Sequence, residues 1–317
     1  MAALLGLTAC SGGEPSAASG NEEQSAAPVQ HKYGTTTVPA QAQRVVTVGY
    51  TDQEPVLALG VAPVGVVDFF GERPYGSWPW EKALWNGTVP AIVGERDEYQ
   101  LEKIASLHPD LIIGLYSGMT QASYEALTRI APTVAQPVGF ADFAAPWTVQ
   151  TDMAGRSLGR QPQAQKLVDD VNAQVTAARQ AHPEWAGKTV AVVEPAATGE
   201  WAVFGAADPK LQFLEGLGFT VAPIVRQLEA GGDVAQLSTE RLDLLEVDRL
   251  VLLIDPGDPT EAKVRANPLF SRLRVAREGR ALFLPFSPAP SSGAAMAFNS
   301  VLSIPYGLQQ VVPALAR

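Results

Sequence analysis

The chain has one cysteine, Cys10, so no disulfide can form within it and a thiol-based metal cluster is excluded. Basic residues are scarce. There are 23 lysines and arginines against 33 aspartates and glutamates, with no basic block. Such a surface repels phosphate backbones, so nucleic acid is not an expected partner. No apolar run approaches the roughly 18 residues that a membrane span requires. Catalytic signatures are also missing: the sequence contains no nucleophile elbow, phosphate loop or dinucleotide fingerprint. Gly187-Lys188-Thr189 has the ending of a phosphate loop. His182, however, stands where that loop's first glycine belongs, and a strand pattern follows in place of a helix.

What is present begins at Cys10. Leu7-Thr8-Ala9-Cys10 follows the apolar stretch Ala2 to Leu5 and resembles the lipobox of bacterial lipoprotein signal peptides, in which the cysteine is acylated and becomes the first residue. Residues 1–9 lack the charged start and longer apolar core of such a peptide, so the true translation start is expected upstream. From Ser11 to Val29 the sequence is mostly Ser, Gly, Ala, Glu and Pro without aromatics, the composition of a disordered tether. Residues 10–43 are assigned to a lipidated tether and lead-in, which would span on the order of 30 Å.

At 317 residues the chain suits two domains. Arg44-Val45-Val46-Thr47-Val48-Gly49 reads as a buried strand, with a helix capped by Asp52 running to Gly60 and a second strand at Val64-Gly65-Val66-Val67. Strand, helix, strand implies a parallel βα unit with a right-handed crossover. The unit repeats through Leu101, Ile104 and Leu107 to the strand Leu111-Ile112-Ile113, then through a helix holding Tyr124, Leu127 and Ile130. This gives a first α/β lobe over 44–145. Within residues 146–187, Ala164, Leu167, Val168, Val171, Val175 and Ala178 share one face of a single long helix, able to bridge two lobes. Strand signals return at Thr189 to Val193, Trp201 to Phe204, Phe219 to Val221, Leu250 to Ile254 and Ala281 to Leu284, and a terminal helix is expected from about Ala295 to Leu308. Residues 188–317 are thus a second α/β lobe.

The string Leu101-Glu102-Lys103-Ile104-Ala105-Ser106-Leu107-His108-Pro109-Asp110-Leu111-Ile112-Ile113-Gly114 closely resembles a signature segment of periplasmic binding proteins for iron-siderophores and cobalamin. Arg44-Val45-Val46 with Leu57 to Val66, and Leu269-Phe270-Ser271-Arg272-Leu273 through Ala281, are further matching blocks. The resemblance implies two α/β lobes with parallel-type sheets, one rigid bridging helix, and a ligand cleft between the lobes. The expected function is that of an extracytoplasmic lipoprotein, anchored at the cell membrane, that passes a ferric siderophore to an ABC permease. It would act as a monomer and without a cofactor, iron arriving only inside its ligand.

Ligands in open α/β sheets sit beyond the carboxyl ends of strands. That rule selects Tyr50, the aromatic-rich stretch from Phe69 to Trp85 with Phe70, Trp78 and Trp80, then Arg96 and Tyr116. Trp78 and Trp80 flank Pro79, so the expectation is that they face different sides and that at least one lines the cleft. Arg96, in Gly94-Glu95-Arg96-Asp97, is placed like a functional arginine of ferrichrome-type hydroxamate binders, and Tyr116 like its tyrosine partner. A guanidinium offers charged hydrogen bonds to iron-bound oxygens, each contributing about 1.5 to 3 kcal/mol. An ion pair of Arg96 with Asp97 or Glu98 is the competing reading. The second lobe offers Trp201, Arg226 and Phe298. In the resembling family one glutamate on each lobe engages permease arginines, and the matching positions are Glu102 and Glu240, both read as opening helices on the cleft side.

Of the three histidines, His31 falls in the tether, His108 before a strand and His182 at the end of the long helix. They cannot converge on a bare zinc or manganese ion. Haem, with Tyr50 or Tyr116 as axial ligand, and cobalamin stay open as cargoes, and an envelope-anchored hydrolase is the alternative from another class.

Overall fold

The computed structural model describes residues 28–68, 78–196, 198–228 and 234–317. The described residues begin with a hairpin, β1 (Pro28–His31) and β2 (Gly34–Thr37). The first lobe follows as β3 (Val45–Thr47), α1 (Gln53–Ala58), β4 (Gly65–Asp68), β5 (Ala91–Glu95), β6 (Glu98–Tyr99), α2 (Leu101–Ser106), β7 (Leu111–Ile113), α3 (Gln121–Thr128) and β8 (Thr133–Val134). Its sheet has the order β6-β5-β4-β3-β7-β8, parallel throughout except for β6. Runs such as Leu111-Ile112-Ile113 are covered by helices on both faces and so can be apolar at every position.

Two antiparallel helices come next, α4 (Trp147–Ser157) and α5 (Gln161–Ala181). Gly155 is required where they meet, because a Cβ there would lie 2.4 Å from the Cβ of Ala164. With 21 residues, α5 extends about 30 Å. Its buried face belongs to both lobes: Ala164 packs in the first-lobe core, Val171 in the second, and Leu167 against each.

The second lobe comprises β9 (Thr189–Pro195), β10 (Glu200–Phe204), α6 (Pro209–Gly216), β11 (Thr220–Val221), α7 (Pro223–Leu228), β12 (Val234–Ser238), β13 (Arg249–Leu253), α8 (Pro259–Ala266), α9 (Pro268–Arg272), α10 (Arg274–Arg277), β14 (Ala281–Leu284), α11 (Ser292–Phe298) and α12 (Ser303–Leu315). Its sheet runs β12-β10-β9-β13-β14, with β11 also on β9. Here β9, β11, β13 and β14 are parallel and β10 is antiparallel to both neighbours, so this sheet is mixed.

Four sequence expectations need correction. His31 and Val29 are not in a disordered tether: both are 2% exposed in β1, where Val29 joins the first-lobe core and His31 Nε2 lies 2.9 Å from Thr36 Oγ1. Asp52 does not cap α1 with its side chain. The terminal helix is two helices, broken where Asn299 adopts a left-handed conformation (φ 41°). Glu240 lies in a short 3-10 turn, Thr239–Leu245, and not in an α-helix.

Candidate functional site

The loops after β3 and β7 are tied together. Tyr50 N donates to Tyr116 O (2.8 Å), and the Asp52 carboxylate accepts from Leu115 N (2.8 Å) and Tyr116 N (3.0 Å). Gly49 is obligatory beside it, since a Cβ there would sit 2.2 Å from Asp52 Oδ2. Asp52 is fully buried, and burial raises its carboxyl to about 7 despite the backbone donors that favour its charge. The clamp sets the Tyr50 and Tyr116 rings 5.9 Å apart, and Phe143 meets Tyr116 edge-on at 5.7 Å.

Arg96 occupies the turn between β5 and β6 in a left-handed conformation (φ 53°), which a non-glycine residue rarely adopts outside functional or strained sites. Its exposed side chain forms no ion pair among the described residues. The competing partner is engaged elsewhere, because Asp97 Oδ1 accepts from Gly118 N (3.1 Å) and Tyr99 Oη (3.5 Å).

Across the cleft, Asp208 caps α6 by accepting from Lys210 N (2.8 Å), with proline at the first helical position. Lys210 Nζ lies 3.0 Å from the same carboxylate and 3.7 Å from the centre of the Phe204 ring. Tyr50, Arg96, Tyr116 and Phe143 from one lobe face Asp208, Pro209, Lys210 and Ala297 from the other around a cavity of about 290 Å³. Its charged side chains are two cations and one anion, in a chain whose net charge is −10.

The remaining predicted residues fall outside this wall. Trp78 and Trp80 stack on each other (5.1 Å, 10°) and both meet Phe298 edge-on, at 5.2 and 5.4 Å. The expectation that they face different sides fails because the chain turns there: Glu81 N and Lys82 N both bond to Trp78 O, and the alternation of an extended strand does not apply. Phe298 is 5% exposed and backs Tyr50 at 6.0 Å. Trp201 is buried in the second-lobe core, donating to Thr239 Oγ1 (3.1 Å) and stacked on Phe270. Arg226 is exposed on α7, 3.7 Å from Glu215, and does not line the cleft. Phe70 and Cys10 lie outside the described residues. Glu102 and Glu240 are both exposed.

Two carboxylates are buried here: Asp52, which the sequence offers only as a helix cap, and Glu54, which it does not single out. Glu54 on α1 accepts from Trp80 Nε1 (2.9 Å) and from the hydroxyl of Ser300, which precedes α12. It therefore joins the lobes, and burial raises its carboxyl to about 7.

A profile of the periplasmic binding proteins matches residues 45–288, most of the chain. The chain belongs to the periplasmic binding protein family. The fold agrees with that of a periplasmic solute binding protein from Mycobacterium smegmatis, 30% identical, with TM-score 0.80 over 93% of this chain and 99% of that one. The probable siderophore-binding lipoprotein YfiY of Bacillus subtilis is 30% identical over 60% of this chain; the match spans 56% of that protein. The Fe(3+)-citrate-binding protein YfmC of the same organism is 24% identical over 88% of this chain and 84% of its own length. The cavity between the two lobes is the candidate binding site.

Proposed function

We propose that the chain is the extracytoplasmic receptor of an ABC importer and binds a ferric siderophore in the 290 Å³ cleft. The observation that carries this reading is the convergence of Arg96, with no ion-pair partner among the described residues, on an aromatic wall of Tyr50, Tyr116 and Phe143. The cation meets the negative oxygens around iron, and the rings pack against the organic backbone. The relatives' printed ligands, a siderophore and ferric citrate, accord with it. A hydroxamate is the proposed type. A carboxylate siderophore is the second reading, favoured by the ferric-citrate-binding relative. Tryptophan quenching with ferric hydroxamates, ferric citrate, haem and cobalamin tests the proposal. Saturation by a ferric siderophore alone supports it, and saturation only by haem or cobalamin overturns it.

Membrane attachment through Cys10 belongs to the same proposal, on the strength of Leu7-Thr8-Ala9-Cys10. Cells expressing the chain behind a complete lipoprotein signal peptide are expected to incorporate labelled palmitate, and the Cys10→Ser variant is not. Equal labelling of both would refute the anchor.

Docking to the permease is assigned to Glu102 and Glu240. Their exposure is compatible with this role, although Glu240 in a 3-10 turn gains little from a helix dipole. The double variant Glu102→Arg, Glu240→Arg is expected to bind ligand like the wild type and to lose import. Normal import would remove both residues from the interface.

A further inference from the structure

A cavity of about 390 Å³, larger than the cleft's 290 Å³, lies away from it. It lies at the amino ends of β9, β13 and β14, where Lys188, Asp248, Arg249 and Arg280 stand, and is completed by Arg274 and Glu278 of the α10 segment and by Glu184 beside Trp185. Its volume is within the range of small-molecule sites. Its wall carries four cations and three anions in an otherwise acidic chain.

Each of the three carboxylates is already engaged. Glu184 Oε1 lies 2.9 Å from His182 Nδ1, and Asp248 Oδ2 accepts from Thr189 N and Oγ1 at 2.9 Å each. Glu278 Oε2 is 2.7 and 2.8 Å from Nη2 and Nε of Arg280, whose Nη1 also donates to Val247 O (3.0 Å). Lys188 reaches Asp248 Oδ1 at 3.9 Å. Two guanidiniums are left over. Among the described residues neither Arg249 nor Arg274 has an ion-pair partner, and Nη1 of Arg249 is buried with nothing accepting from it. A guanidinium on a cavity wall with no carboxylate paired to it leaves its charge for an entering oxyanion to match. Burial and the Arg280 charge both disfavour the Arg249 cation, which an anion in the cavity would relieve.

We propose that this cavity is a second binding site, for a small multivalent oxyanion bearing phosphate or carboxylate groups, held by Arg249 and Arg274. Planar guanidiniums match such groups with paired donors, and two of them select a ligand with more than one negative charge. The site is separate from the cleft and does not depend on what the cleft binds.

Calorimetric titration of the whole protein with inorganic phosphate and, separately, with succinate tests this at fixed ionic strength. At least one anion is expected to bind saturably with one site per chain, and whichever binds identifies the group the cavity accepts. Arg249→Gln and Arg274→Gln should each weaken that binding about tenfold or more. Arg274 is exposed, so its variant should melt like the wild type without anion, and it decides the matter if Arg249→Gln fails to fold. Binding of neither anion, or binding unchanged in Arg274→Gln, overturns the proposal.

Discussion

Arg96→Ala is expected to weaken ferric siderophore binding by roughly 10- to 150-fold, the effect of losing one charged hydrogen bond of 1.5 to 3 kcal/mol. The side chain is exposed, and its removal breaks no ion pair among the described residues. Its left-handed backbone is no obstacle to the experiment, because alanine there bears the same kind of strain that arginine already bears. Melting temperature should consequently stay near that of the wild type while affinity falls. Arg96→Lys separates charge from geometry: a lysine keeps the charge without the planar fork and should recover only part of the loss. Full affinity in a folded Arg96→Ala protein would place the iron-bound oxygens elsewhere in the cleft, with Lys210 the next cation to replace.

The first-lobe half of the cleft was legible in the sequence because its strands β3, β4, β5 and β7 are parallel and end on one side. The residue after each β-branched run then lies at one rim of the sheet, and Tyr50, Arg96 and Tyr116, selected by that rule, line one cavity. The same reasoning failed in the second lobe. Its wall comes from the start of α6 and from α11, and β10 runs antiparallel, so Trp201 at a strand end is a core residue. Asp208-Pro209 is a helix-start signature that could have pointed to Lys210. Phe143 carries no such signal, since it sits in an irregular segment with a positive φ. The long helix α5 was readable from its periodic apolar face. Helix α4 was not, because its course is set by close contact with α5 at Gly155 and by burial of Met153 and Ala154, and its sequence shows only a diluted periodicity. The buried carboxylates were invisible for a related reason. A lone Asp or Glu beside an apolar turn reads as a cap or a solvated charge, and only the folded chain shows that Leu115, Tyr116, Trp80 and Ser300 converge on Asp52 and Glu54.

Those two carboxylates give stability an unusual dependence on pH. Both are held above their ordinary values, Asp52 at about 7 instead of 3.8 and Glu54 at about 7 instead of 4.5. Between those limits the folded chain retains protons that the unfolded chain has released. Stability is therefore expected to fall as pH rises from about 4 to about 7, opposite to the trend produced by carboxylates in salt bridges. At roughly 1.4 kcal/mol per pH unit of displacement, the two together contribute a few kcal/mol over that window. Glu54→Gln isolates the contribution made between the lobes. The amide oxygen can still accept from Trp80 Nε1, while the amide nitrogen can donate to Ser300 Oγ, which then serves as acceptor. A neutral group at that position has no ionisation for burial to oppose. Chemical denaturation at intervals from pH 5 to pH 8 should accordingly show Glu54→Gln close to the wild type at the acid end and more stable than it at the alkaline end, with a shallower slope between. If Glu54→Gln kept the full wild-type slope, the neutral carboxyl could not be what joins α1 to the start of α12.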